Sequence, residues 1–82
     1  MTVLIKRRTV KNRAYELHDA DQPNAGAFAI AMRSADGWKV AARGGRMVGE
    51  RLDGRTAAAL ATRTAHEQIH MGAVRALLGG AK

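Results

Sequence analysis

The sharpest constraint on this chain is a change of pattern at Asp53. Before it, glycine, proline and small polar clusters interrupt every apolar run. After it, "DGRTAAALATRTAHEQIHMGAVRALLGG" has no proline and is dominated by helix formers. Interrupted runs can pair as strands but are too short for helices, which need roughly 12–15 residues to persist on their own. The uninterrupted stretch reads as one helix over about 55–78, with Asp53 or Thr56 as its N-cap and Gly79-Gly80 as its stop.

Turn signals divide the first part cleanly. "TVKN" (9–12) separates "VLIKRR" from "AYELH", "DADQPNAG" (19–26) carries the one proline, and "SADG" (34–37) separates "AFAIAMR" from "WKVAAR". Gly44-Gly45 then stands between "WKVAAR" and "RMVGER", where a tight hairpin demands positive φ. Between the turns, apolar residues alternate. Phe28, Ile30 and Met32 share one face of their run, opposite Ala27, Ala29, Ala31 and Arg33. Trp38, Val40 and Ala42 share one face of the next, opposite Lys39, Ala41 and Arg43, and Tyr15 and Leu17 oppose Glu16 and His18. The expected fold is α+β, a four- to five-stranded antiparallel meander followed by one long C-terminal helix packed on one sheet face. It forms a single domain over 1–82, with the sheet in 1–52 and the helix in 53–80.

The hydrophobic share is 46%, but seventeen of those residues are alanine. The large apolar residues available for a core are Val3, Leu4, Ile5, Tyr15, Leu17, Phe28, Ile30, Met32, Trp38, Val40, Val48, Leu52, Leu60, Ile69, Val74, Leu77 and Leu78. A core this small rarely supplies more than about 3–5 kcal/mol. On the helix, Ala58, Ala61, Ala65, Ile69, Ala73 and Ala76 make a stripe that can lie close on a sheet. Leu60, Met71, Val74 and Leu78 gather on a second side that needs its own partner, such as a loop, a neighbouring subunit or a target protein, and a homodimer through the C-terminal helix is one expected form. Cysteine is absent, which excludes disulfides and Cys-ligated zinc and suits a reducing compartment. The N-terminal apolar run is too short for a signal peptide, and "AFAIAM" falls far short of the roughly 20 residues that span a bilayer. The expectation is a soluble cytoplasmic protein without membrane contact.

"HEQIH" at 66–70 has the HExxH spacing of zinc peptidases. On a helix, His66 and His70 stand about 40° apart, close enough to share a metal, and Glu67 could polarise a bound water. A catalytic zinc site needs a third protein ligand, and no His, Asp or Glu follows residue 70. The upstream candidates are His18, Asp19, Asp21, Glu50 and Asp53, and a chain this short lacks a second lobe to form a cleft. "RGGRMVGERLDGR" fits neither GxxxxGK[ST] nor GxGxxG, and no nucleophile motif or paired carboxylates stand out. The expected protein is not an enzyme and uses no cofactor or metal.

Ten arginines and four lysines against seven acids give a formal charge of +7, a balance that favours anionic partners. Lys6, Arg7, Arg8, Lys11 and Arg13 precede the first acid, Glu16. Arg33, Lys39, Arg43, Arg46, Arg51 and Arg55 form a second group, with Arg33, Lys39 and Arg43 expected on the open face of the sheet. A basic sheet face can lie along a phosphate backbone. Single-strand readers display aromatics on such a face. Here Tyr15, Phe28 and Trp38 all fall on the expected buried side, so duplex or backbone-directed binding is favoured. The first functional reading is therefore a small basic non-catalytic protein that binds nucleic acid, or an acidic or nucleoprotein complex, through Lys6, Arg7, Arg8, Lys11, Arg13, Arg33, Lys39, Arg43 and Arg46. The layout of antiparallel strands followed by one helix is similar to that of some anti-CRISPR proteins. That similarity implies the alternative, a phage- or plasmid-encoded inhibitor of a host defence complex that acts by binding and occlusion.

Overall fold

A computed structural model describes residues 3–9, 11 and 13–80. The interrupted first part forms five strands: β1 (Leu4–Arg8), β2 (Ala14–Asp19), β3 (Ala27–Ser34), β4 (Gly37–Ala42) and β5 (Met47–Leu52). They pair in chain order as one antiparallel meander, and the helix α1 (Gly54–Gly80) follows. The turns form where small and polar residues allow them. Gly44 and Gly45 both take positive φ, 92° and 90°, between β4 and β5. Gly37 sits at φ 127° in the β3–β4 turn, where an added Cβ would stand 3.0 Å from the backbone of Arg51 and Leu52. In the β1–β2 hairpin the Ala14 amide donates to Thr9 Oγ1 at 3.2 Å, and Thr9 N donates to the Ala14 carbonyl at 3.0 Å. Residues 10 and 12 of the turn predicted over 9–12 lie outside the described residues. Asp53 proves to be the N-cap: its Oδ1 accepts the Thr56 amide at 2.7 Å.

Strand register decides what each face carries. One row runs Arg8–Tyr15–Ala31–Val40–Gly49, with Lys6–Leu17–Ala29–Ala42 beside it. The helix packs on this face, chiefly over β3 and β4. The other face carries the row Arg7–Glu16–Ile30–Ala41–Met47, flanked by Ala14, Met32 and Lys39.

The helix seats itself through small side chains. Ala57, Ala61 and Ala65 are fully buried, as is Ala31, and Ala29 is 1% exposed. Alanine on both surfaces lets helix and sheet approach closely, and Gly49 extends this. A Cβ there would stand 2.6 Å from Leu60 Cδ2. Tyr15, Leu17, Phe28 and Val40 complete the buried core, with Leu4, Trp38, Val48, Leu52, Leu60 and Ile69 partly buried around it.

Several expectations need correction here. On β3 the register puts Ala29 and Ala31 against the helix, while Ile30 and Met32 lie on the open face. Phe28, near the bulge at Leu17/His18, is buried and lines crevices with Ile69 and Gly72. On the helix the contacting stripe is Ala57–Ala61–Ala65, with Leu60 on the sheet side and Ala73 and Ala76 exposed. Val3 and Ile5, expected in the core, are exposed, as are Val74, Leu77 and Leu78.

The helix outlasts its support. A 27-residue helix is about 40 Å long, whereas a six-residue strand covers about 20 Å. From His70 to Gly79 every residue is exposed, and the molecule measures 48 Å along its longest axis against 21 and 20 Å across. The overhang begins past the Phe28 and Ala42 end of the sheet. The helix starts at the opposite end, where Gly54 meets Trp38. Among the described residues no helix is long and apolar enough to cross a membrane.

Candidate functional site

The sheet has two ends, and its cations divide between them. At one end lie the β1–β2 hairpin, the β3–β4 turn and the start of the helix. Register brings the end of β1 beside the start of β2, and Arg33 N donates to the Arg13 carbonyl, which joins the two hairpins. Arg8, Lys11, Arg13 and Arg33 are exposed at this end, with Lys6 one pleat further along β1. Lys11, Arg13 and Arg33 line one shallow recess of about 480 Å³ with Ser34 and Ala35. Among the described residues no carboxylate lies within ion-pair distance of Lys6, Arg8, Lys11, Arg13 or Arg33.

The carboxylates that share these turns are already engaged. Asp36 Oδ2 lies 3.5 Å from Arg51 Nε, and the Ser34 hydroxyl, 2.8 Å from Asp36 Oδ1, holds that carboxyl below its ordinary range. Asp53 is held low in the same way by the Thr56 amide that it caps. Both stay ionised and spend their charge locally.

Lys6 and Arg8 stand on the helix side of the sheet, because their register partners are Leu17 and Tyr15. The helix covers β3 and β4, so these two side chains flank it instead of lying beneath it. Lys6 Nζ sits 4.4 Å above the Tyr15 ring, an arrangement worth about 0.5–1 kcal/mol at an exposed site. Tyr15 in turn tilts at 52° against Trp38, with centroids 5.5 Å apart. Trp38 is only partly buried, and with Lys6, Arg8, Tyr15, Gly54 and Ala58 it lines a second recess of about 280 Å³. The Tyr15 hydroxyl is buried with no protein hydrogen-bond partner, and burial raises its pKa.

The remaining predicted residues lie elsewhere. Arg7 and Lys39 are on the open face, which is largely apolar between them: Ile5, Ile30, Met32, Ala41 and Met47 lie there with Glu16. Arg33 shares its pleat with Trp38 and so does not join Lys39. Arg43 lies at the far end, where it donates to the Ala25 carbonyl at 2.6 Å and stacks on Phe28 at 4.5 Å. Arg46 is exposed in the adjoining β4–β5 turn. The expected basic open face is therefore replaced by a basic end. Arg55, grouped in sequence with the second set of cations, joins that end from the first helical turn, and Trp38, expected on the buried side, stays partly exposed there. Neither carries a local signal, since each owes its position to where the helix begins over the sheet.

His66, Glu67 and His70 are exposed on the helix. Arg63 Nε donates to Glu67 Oε1 at 3.1 Å, an i,i+4 pair on the surface. Among the described residues no cluster of three His, Cys, Asp or Glu side chains forms. The other histidine, His18, is buried and bonded through Nε2 to Glu16 Oε1 at 2.8 Å. What the basic end offers chemically is exposed positive charge beside aromatic surface. Compared with known proteins, the chain matches no family model, no curated protein and no solved structure.

Proposed function

We propose that this chain is a small, non-catalytic nucleic-acid-binding protein whose contact surface is the basic end of its sheet. The observation that carries this reading is the convergence of Lys6, Arg8, Lys11, Arg13 and Arg33 around two adjoining recesses, with no carboxylate partner among the described residues. Exposed, unpaired cations contribute little to folding, because water screens them. They are suited to neutralising phosphates, where release of condensed counterions supplies affinity without sequence preference. A cytoplasmic location accompanies this reading. Fluorescence anisotropy with labelled duplex DNA, single-stranded DNA and RNA at 50 and 200 mM salt tests it. Binding that weakens steeply with salt is expected. Absence of binding to all three probes at 50 mM salt overturns it.

A second reading has its own observation. Met71, Val74, Leu77 and Leu78 are 49, 40, 76 and 73% exposed on the helix overhang, at the opposite end of the molecule from the basic end of the sheet. Apolar residues grouped this way mark a protein-facing surface. A second copy of the chain is the occupant we assign, which makes a homodimer through the C-terminal helix. A monomer across a wide concentration range, together with capture of one nucleoprotein complex, would instead favour the occluding inhibitor.

A further inference from the structure

The recess between β1 and the start of the helix is built differently from the rest of the basic end. Lys6 and Arg8 form one wall and the helix start forms the other. Lys6 occupies the face of Tyr15, so the aromatic surface left to a ligand belongs to Trp38. The opposite wall is made of the two smallest side chains, Gly54 and Ala58. A Cβ at Gly54 would already stand 3.4 Å from Trp38 Nε1, so the opening beside the indole depends on their size. The buried Tyr15 hydroxyl adds an unpartnered polar atom on a residue that lines the same recess. Next to it, Arg33 is the register partner of Trp38, and its recess continues to Arg13 and Lys11.

Resting on the nucleic-acid reading above, we infer that this recess receives one unpaired nucleotide, its base against Trp38 and its phosphate between Lys6 and Arg8. The strand continues over Arg33, Arg13 and Lys11. A concave site with one aromatic surface and two cations is matched by a ligand that joins a flat ring to a phosphate. Duplex bases are stacked inward and reach such a recess only by flipping out, which carries an unstacking cost. The surface therefore prefers single strands, a preference that charge alone does not produce.

Trp38 is the chain's one tryptophan, so its emission reports directly on the site. The experiment titrates the full chain with a single-stranded DNA oligonucleotide, a duplex of equal phosphate count and inorganic polyphosphate. Quenching by the single strand alone is expected. Trp38→Ala should weaken single-strand binding about 5- to 150-fold, the range of one base–aromatic stack, and leave duplex binding unchanged. Trp38→Phe should keep part of the affinity. Ala58→Phe, which fills the recess from the helix side without touching a cation, should reproduce the loss while circular dichroism shows an intact fold. Wild-type single-strand affinity in both Trp38→Ala and Ala58→Phe, or equal quenching by polyphosphate, overturns this inference while leaving the nucleic-acid reading standing. Failure of every probe to bind overturns both.

Discussion

Replacing Lys11, Arg13 and Arg33 together with alanine separates a localised binding surface from a generally basic protein. These three cations are exposed, lie around one recess and have no carboxylate partner among the described residues. Their removal should therefore cost the fold almost nothing. A strand that crosses the basic end over Lys6, Arg8, Lys11, Arg13 and Arg33 neutralises about five phosphates, and at roughly −0.7 per contact log K falls against log salt with a slope of about −3.5. Raising salt from 50 to 200 mM then weakens binding about 130-fold. With three contacts gone the slope shrinks to about −1.4, and the same change in salt costs only about 7-fold. The control is Arg46→Ala/Arg63→Ala/Arg75→Ala, which removes the same formal charge from exposed positions outside the basic end. Anisotropy titrations at four or more salt concentrations give the slopes directly. Equal reduction of the slope in both variants would refute the reasoning, because the affinity would then follow net charge and not its placement.

The stability of the helix–sheet contact is tested by Ala61→Leu beside Ala59→Leu. Ala61 is fully buried against the sheet and Ala59 is exposed, so overpacking should cost about 1–3 kcal/mol at Ala61 and almost nothing at Ala59. Urea unfolding measures both, and equal midpoints would mean that the helix does not sit closely on Ala29 and Ala31. Sedimentation velocity should give a dimer for the native chain and a monomer for Leu77→Glu/Leu78→Glu at unchanged helicity, whereas a native monomer at every concentration removes the assigned self-association. The Asp53 cap should make stability pH-dependent. The Thr56 amide lowers the pKa of its carboxyl, so the cap is at full strength above the ordinary carboxylate value and is lost as pH falls through the lowered one. Asp53→Asn keeps a capping oxygen but cannot titrate, and a thermal-melt profile between pH 2 and pH 6 with the same acid slope as the native chain would count against this role.

Much of the architecture was legible because it is set locally. Positive φ at Gly44 and Gly45, the cap at Asp53 and the unbroken run of helix formers act within a few residues of themselves. Alternation in the runs that become β2, β3 and β4 identified strands and divided each into two faces. Which face is covered is another matter. In the run that becomes β3 both alternating sets are apolar, one of Phe28, Ile30 and Met32 and the other of alanines. Size favoured the first as core, yet the helix took Ala29 and Ala31 and, of the first set, only Phe28 at the bulge. Its own contacting stripe is alanine, and two rows of methyl groups allow an approach that Ile30 and Met32 would block.

That choice carried the cations with it. The residue types and their abundance are written in the chain, and so were the candidate residues Lys6, Arg8, Lys11, Arg13 and Arg33. Their convergence at one end was not. It depends on the meander placing the β1–β2 and β3–β4 turns side by side, and on Arg33 pairing with Trp38 while Lys39 points to the opposite face. The sequence by itself therefore determined the elements, their order and the stock of charge, all of which follow from short-range preference. Only the tertiary structure decided which sheet face is closed, that the helix runs past its support, and that Trp38 stays partly open beside Lys6 and Arg8. Those outcomes turn on how closely two surfaces far apart in the chain can pack, a distance that no local pattern encodes.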